Sequence, residues 1–136
     1  MKRYAMYVFS HPIPGREEEY LDWYQGQHIH DLLSIPGIIG CKFYKTCSEQ
    51  LIDNADDDRF PYLMVWEFET DDLDSLLEEI RQRKKDGRSL VCPAFESQLN
   101  YICTPLSHDI QASDVVGKSV EEVRALYEEK RVNSNE

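Results

Sequence analysis

The segment FPYLMVWEFE, residues 60–69, constrains the fold more than any other part of the sequence. Its aromatic and branched side chains are typical of a β-strand. Large apolar side chains occupy both faces of this strand, since Leu63 and Val65 alternate with Met64 and Trp66. A strand that is apolar on both sides belongs to a sheet that is covered on both faces.

The spacing of apolar residues changes several times along the chain. A period of two predicts a strand, and spacings of three and four predict a helix. The resulting order is β-α-β-β-α-β, an α+β fold of the ferredoxin-like type with one four-stranded antiparallel sheet and two helices on one face. The predicted strands cover about residues 4–10, 38–47, 60–69 and 97–105. The first predicted helix lies at about 16–34, and the second is capped by Thr70, Asp71 or Asp72 and ends at Gly87.

Two helices cover only one face of such a sheet, so the second apolar face needs another partner. The simplest partner is a second copy of the same sheet, packed face to face in a two-fold homodimer. The alternative is that the C-terminal segment of the same chain covers this face.

Residues 105–136 lie outside the β-α-β-β-α-β unit, which we assign to residues 1–104 as one domain. The sequence SVEE at Ser119–Glu122 is a capping box, and an apolar stripe follows it. We therefore predict a C-terminal extension with a short helix from about Ser119 to Lys130. Its stripe is expected to pack on its own subunit or on the partner through Val120, Val123, Leu126 and Tyr127.

The charge and the cysteines limit the classes of partner and compartment. A formal net charge of −11 argues against nucleic acid and against anionic lipid surfaces, which both attract clustered cations. No apolar run is long enough to span a membrane, and the start does not read as a signal peptide. Four cysteines without a CxxC pair indicate reduced, mostly buried thiols in a cytoplasmic protein.

Motifs for metals, cofactors and nucleophiles are not recognised. His28 and His30 lie about 200° apart on an α-helix and cannot bind one metal ion together. The acidic run DNADDD, residues 53–58, lacks the glycine of a calcium loop and is interpreted as solvated surface. There is neither a GxSxG elbow nor a glycine-rich phosphate loop. The sequence therefore predicts no metal and no cofactor.

The first predicted helix carries the strongest candidates for catalytic and substrate-binding residues. Its stripe combines aromatic residues with a histidine and consists of Tyr20, Trp23, Tyr24, Gln27, His28 and Leu32. His28 can act as a general acid or base because an imidazole titrates near neutral pH. Tyr24 can donate a hydrogen bond to a substrate oxygen, and Trp23 can stack on a planar ring. His11 and Tyr7 are further candidates for substrate contacts.

The alternative for His28 is structural. A histidine on an inward stripe is often a core residue whose ring is hydrogen-bonded to a backbone carbonyl. Periodicity alone does not separate this possibility from a pocket residue.

The stretch PIPGREEEYLDWYQGQHIHDLLSIPGIIGCKFY resembles the signature of EthD-like members of the dimeric α/β-barrel superfamily. The resemblance is good over residues 4–47, holds only in element order from 60 to 104, and does not extend to the tail. It implies a homodimer with one pocket per subunit, and it implies that the helix histidine matching His28 is an acid or base. Many relatives have a glutamate where this chain has Gln27.

Three hypotheses follow. The first is a cofactor-independent enzyme of lyase, isomerase or cyclase type that acts on a small aromatic, polyketide-like or lactone substrate; monooxygenase chemistry is less favoured. The second is a small-molecule carrier or sensor that uses the same pocket without turnover. The third is a structural dimeric module with a filled core. A closed interior with His28 bonded to a carbonyl would favour the third.

Overall fold

The computed structural model describes residues 1–52 and 60–133. Four antiparallel strands form one sheet in the order β2-β3-β1-β4. This topology confirms the predicted α+β, ferredoxin-like β-α-β-β-α-β fold. The strands are β1 (Lys2–Pro12), β2 (Ile38–Lys45), β3 (Tyr62–Thr70) and β4 (Phe95–Cys103). The run DNADDD lies outside the described residues.

The helix between β1 and β2 consists of three segments: α1 (Glu17–Asp22), a π-helical turn (Trp23–His28) and α2 (Ile29–Leu33). The prediction of one uninterrupted α-helix over 16–34 is therefore wrong at its centre. The changed register also moves Gln27, which the α-helical stripe placed inward, to an exposed position.

The second connection contains α3 (Leu73–Lys85), which begins and ends as the sequence predicts. Asp72 caps its first turn by accepting a hydrogen bond from the backbone N–H of Ser75 at 3.1 Å. Three cations in the last turn complement the helix dipole. Gly87 follows with a φ of +81°, a backbone conformation that glycine adopts without strain.

The core lies between the helices and one face of the sheet. The even-numbered residues of β1 and β3 point into it, because side chains alternate along a strand. They pack against aromatic and aliphatic residues of the first helix and against Leu76 of α3. The buried hydrophobic residues are Met6, Val8, Tyr20, Tyr24, Leu32, Ile35, Ile38, Tyr62, Met64, Trp66, Phe68, Leu76, Cys92 and Ala94.

The other face of the sheet is apolar as well. Tyr7 of β1 lies between Val65 of β3 and Tyr101 of β4, and the next outward position of β4 holds Leu99. Tyr101 is 55% exposed and Leu99 is 43% exposed, so the described parts of this chain do not bury this face. The alternative that the C-terminal segment covers this face within one subunit is therefore not observed.

The C-terminal extension contains α4 (Ala112–Val115), which the sequence did not predict, and α5 (Val120–Lys130), which it did. The Ser119 capping box is present, with Glu122 as its other partner. The extension closes on itself, since His108 N–H donates to the Lys130 carbonyl and Val132 N–H to that of Leu106. No residue of α5 is fully buried, and within one subunit its apolar stripe is only partly covered, since Val123 and Leu126 are half-buried while Val120 is exposed.

All four cysteines are free thiols, as predicted. The prediction that they are mostly buried is wrong, because only Cys92 is buried, while Cys47 and Cys103 are exposed. Neither residues 1–52 nor residues 60–133 contain a helix long and apolar enough to cross a membrane.

Candidate functional site

A cavity of about 310 Å³ lies between the first helix, α3, the inner face of β1, β3 and β4, and the loop 86–94 that precedes β4. This volume is at the lower end of the range of small-molecule sites. Its walls are largely aliphatic and aromatic, with a few polar groups. The lining residues are Met6, Val8, Trp23, Tyr24, His28, Leu32, Trp66, Ile80, Lys84, Ser89, Leu90, Val91, Cys92, Phe95, Gln98 and Asn100.

The imidazole of His28 is enclosed by three aromatic rings. It stacks on Trp23 with 4.2 Å between ring centroids and an interplanar angle of 22°. The rings of Tyr24 and Trp66 meet it edge to face at 5.2 and 5.4 Å. These rings keep water away from the imidazole and fix its orientation.

The π-helical turn explains how Trp23 reaches His28. Residues five apart lie about 140° apart around a regular α-helix, so their rings cannot stack. A π-helical turn closes on residues five apart and brings them to the same side. The local change of register therefore places the Trp23 indole over the His28 ring.

Burial lowers the pKa of His28 from 6.5 to about 4. The nearby carboxylate of Asp31 raises this pKa, and the ammonium group of Lys84 lowers it. Burial has the largest effect, because an apolar environment disfavours the charged imidazolium. His28 is consequently neutral at pH 7 and can accept a proton.

Three buried polar atoms at this cavity have no hydrogen-bond partner among the described residues: His28 Nδ1, Trp66 Nε1 and Ser89 Oγ. Such groups are few in folded proteins, because an unpaired buried donor or acceptor costs about 1–3 kcal/mol. All three residues line the same cavity. Three residues of one cavity wall thus each carry a shielded polar atom without a partner among the described residues.

Two hydrogen bonds of the Leu90 backbone connect the loop 86–94 to the first helix. The N–H of Leu90 donates to Asp31 Oδ2 at 3.0 Å, and its carbonyl accepts from Trp23 Nε1 at 2.9 Å. The Asp31 side chain is only 4% exposed and also accepts a hydrogen bond from Gln27 at 2.8 Å. These bonds hold Ser89 and Leu90 at the cavity wall and lower the pKa of Asp31 against the opposing effect of burial.

The ring of Tyr24 lines the cavity, but its hydroxyl is engaged elsewhere. Ser10 is fully buried and hydrogen-bonds the hydroxyl of Tyr20, and its side chain also lowers the pKa of the neighbouring Tyr24. Burial raises the pKa of Tyr24 to about 12, so the phenol stays protonated at neutral pH. Tyr24 thus forms part of the wall around His28, with its hydroxyl turned toward Ser10.

The structure brings Trp23, Tyr24 and His28 together, but not His11 and Tyr7. His11 Nδ1 lies 3.2 Å from Glu96 Oε2, and its ring is tilted against Phe60 at 5.6 Å. Tyr7 is on the outer face of the sheet, and neither residue lines the cavity.

Four residues of the site were not anticipated from the sequence: Asp31, Trp66, Lys84 and Ser89. Trp66 was interpreted only as part of a strand, and Ser89 lies in a loop without a motif. Asp31 did carry a signal, because a carboxylate three residues after His28 falls on the same side of a helix. It supplies a negative charge near the histidine, although Gln27 stands where many EthD-like proteins have a glutamate.

Within residues 1–52 and 60–133, no group of three or more histidine, cysteine, aspartate or glutamate side chains is arranged to hold a metal ion.

No family model and no curated protein matches the chain. Among solved structures, it is similar to an ethyl tert-butyl ether D (EthD) family protein of Bacillus halodurans C-125, with 15% identity and a TM-score of 0.47. That match covers 74% of this chain and 97% of the other. It is also similar to a protein of Agrobacterium tumefaciens, with 16% identity, a TM-score of 0.46 and coverage of 76% and 92%. An EthD family protein is thus among the structures that this chain resembles, as the helix motif predicted.

Proposed function

We propose that the cavity binds a small planar organic compound and that His28 acts as the general base of a cofactor-independent proton transfer. The observation that carries this proposal is the unpartnered Nδ1 atom of His28 at a cavity. A histidine that serves only the core would be hydrogen-bonded, most often to a carbonyl. His28 Nδ1 instead has no partner among the described residues, and a small rotation of the ring would bring this shielded atom to a ligand in the cavity.

The protonation state of His28 favours the role of a base. A neutral imidazole can remove a proton, whereas a pKa near 4 leaves little imidazolium to act as an acid at pH 7. Such a base is weak, so its substrate must have an acidic proton. The carboxylate of Asp31 raises the basicity of His28 and stabilises the imidazolium that forms.

The proposed step is enolisation. His28 takes a proton from a carbon next to a carbonyl group. The electron pair of that C–H bond forms a carbon–carbon double bond, and the π pair of the carbonyl moves onto its oxygen. Trp66 N–H and Ser89 O–H are the donors that can stabilise the resulting oxyanion. They take over the donor role that the sequence suggested for Tyr24. Return of the proton to another carbon gives an isomerase, and loss of a leaving group gives a lyase.

The aromatic walls support a planar aromatic, polyketide-like or lactone substrate, because flat rings stack on Trp23 and Phe95 at low cost. We also propose that the functional unit is a homodimer assembled through the outer face of the sheet. That face is apolar and is not buried within one chain.

Hydrogen–deuterium exchange tests the proposal without knowledge of the natural substrate. The protein is incubated in D₂O with 2-tetralone, and deuterium uptake next to the carbonyl is followed by mass spectrometry. We expect the wild type to accelerate uptake and His28→Gln to lower that rate by about 10²–10⁴-fold. His30→Gln is the control, because the His30 side chain is 78% exposed. Uptake no faster than in buffer, or equal in wild type and His28→Gln, would contradict the proposal.

A carrier that binds without turnover is the second candidate. The low pKa of His28 favours it, because a weak base serves catalysis less well than one that titrates near 7. Ligand binding by a wild type that shows no exchange would establish this candidate.

A further inference from the structure

We infer that the ligand of this cavity is a planar compound with one anionic group, which pairs with Lys84. This inference rests on the proposed function, since it names the kind of compound that the same cavity takes. It is carried by the position of Lys84, by the donors inside the cavity and by the distribution of charge along α3.

Lys84 is the cation of the cavity wall. It follows Ile80 by four residues on α3, so the two side chains share one helix face, and both line the cavity. Lys84 is exposed, which places its ammonium group at the solvent side of the cavity. A ligand with its ring inside and its charge at this side would keep the anion partly hydrated.

Lys84 differs from the neighbouring arginines in having no ion pair among the residues that the structure describes. Arg81 lies 3.4 Å from Glu78, Arg83 lies 2.8 Å from Glu79, and Arg88 pairs with Asp86. A chain with a formal net charge of −11 offers many carboxylates for pairing. Lys85 likewise has no ion pair among the described residues, but it does not line the cavity, so Lys84 is the unpaired cation that a ligand in the cavity can reach.

The interior of the cavity favours electron-rich oxygen atoms. Trp66 N–H can only donate a hydrogen bond, and the Ser89 hydroxyl can donate as well. A purely apolar ligand would leave both groups unpaired and would lose the free energy that their pairing gives. Gln98 and Asn100 of β4 add amide groups to the same wall.

A bound anion would also affect His28. Lys84 disfavours the imidazolium by charge repulsion. An anionic group next to Lys84 offsets that repulsion, so the ligand itself makes His28 a stronger base. The charge of the ligand would thus serve both affinity and proton transfer.

A matched pair of probes tests the inference. Cinnamate and cinnamamide have the same planar skeleton and differ in charge. The chain has two tryptophans, Trp23 and Trp66, and both line the cavity, so tryptophan fluorescence reports binding there directly. Calorimetry gives the same dissociation constants independently. We expect cinnamate to bind about 2- to 5-fold more tightly than cinnamamide, which is the preference that a solvent-exposed ion pair gives.

The variants distinguish a specific effect of Lys84 on binding from the effect of removing any one positive charge from the protein. Lys84→Gln should remove the preference for cinnamate, and Lys84→Arg should keep most of it. Lys85→Gln is the matched control, since it removes the same charge one residue away without touching the cavity wall. Equal binding of the two probes, a preference that survives Lys84→Gln, or no binding of either probe would overturn the inference.

The exchange experiment keeps the two proposals distinguishable, because 2-tetralone is uncharged. Exchange that depends on His28, together with equal binding of the two probes, would refute the anionic ligand alone. A preference for cinnamate that depends on Lys84, without exchange, would refute catalysis alone.

Discussion

The carboxylate of Asp31 accepts a hydrogen bond from the backbone N–H of Leu90, at 3.0 Å and across 59 residues of sequence. Through this bond a buried charge on the first helix holds the loop 86–94. Because the Leu90 carbonyl is bonded to Trp23, the same peptide links the loop to the indole that stacks on His28. The position of the loop and the orientation of the candidate base are therefore coupled.

Asp31→Ala should lower the free energy of unfolding by about 1–3 kcal/mol, since it leaves the Leu90 N–H and the Gln27 amide without their acceptor. Asp31→Asn keeps one oxygen and should cost less, but it removes the negative charge that raises the pKa of His28. Urea unfolding measures the first effect, and NMR titration of the His28 ring measures the second. Asp22→Ala, at an exposed site, serves as control. An unchanged stability of Asp31→Ala would show that water replaces the lost bonds.

His28 should make the stability depend on pH. Its folded pKa is about 4 and its ordinary value is 6.5, so between these values the unfolded chain binds more protons. The free energy of unfolding therefore contains a contribution from neutral His28 that is fully present above pH 6.5. This contribution is lost as the pH falls toward 4 and amounts to a total on the order of 3 kcal/mol. Asp31 and Lys84 are the charged groups that act on His28, and neither changes charge in this interval by its ordinary pKa.

Urea unfolding at several pH values between 4 and 7 measures this dependence, and His28→Gln should flatten it. If the free energy of unfolding changes with pH equally in wild type and His28→Gln, the pH dependence comes from other groups.

Two serines test whether the unpartnered groups serve a ligand or the fold. Ser89→Ala removes a hydroxyl that has no partner, so the unliganded protein should keep or slightly gain stability. Ser10→Ala removes a fully buried hydroxyl that is bonded to Tyr20, and it should cost about 1–3 kcal/mol. Thermal unfolding of the two variants checks this contrast. A loss for Ser89→Ala as large as that for Ser10→Ala would show that Ser89 has a structural role.

The outer face of the sheet should form a two-fold homodimer. Light scattering at micromolar concentration should give twice the chain mass of 16.0 kDa. Val65→Asp places a charge at the centre of this face and should produce monomers, because burying an unpaired charge is costly. Leu33→Asp, on an exposed position of the first helix, should leave the dimer intact. A wild type that is monomeric in this range would contradict the homodimer.

The fold could be predicted from the sequence because its signal is local and repeated. The aromatic and branched residues of β3 specify a strand, and the spacing of Leu73, Leu76, Leu77 and Ile80 specifies α3 and its buried side. Because β3 is apolar on both sides, its sequence also indicates a second sheet face that needs a cover.

Much of the candidate site could not be predicted, because it depends on features without a sequence period. The stacking of Trp23 on His28 requires a π-helical turn, which the α-helical spacing of its residues conceals. The hydrogen bonds that hold Leu90 to the first helix use its backbone N–H and carbonyl. Other residue types carry the same groups, so the leucine itself does not predict these bonds. The sequence places Trp66 on a strand without assigning it to a face, and only the three-dimensional packing buries it and leaves its N–H without a partner among the described residues.

Removal of residues 105–136 should leave a folded protein. The extension closes on itself through the His108–Lys130 and Val132–Leu106 backbone bonds, and no residue of α5 is fully buried in its own subunit. The core between the sheet and the helices is complete without it. We therefore expect the circular dichroism of the truncated chain to show the helix and sheet content of the remaining elements.

The effect of the truncation on stability indicates where the apolar stripe of α5 packs. If Val120, Val123 and Leu126 contact the partner subunit, the truncated protein should dissociate at a higher concentration than the full chain. Light scattering over a dilution series compares the two. Val123→Asp in the full chain is the matched variant, since it disrupts the stripe without shortening the chain. Identical dissociation of the full, truncated and Val123→Asp chains would exclude a contact with the partner, and unfolding on truncation would place the extension in the core.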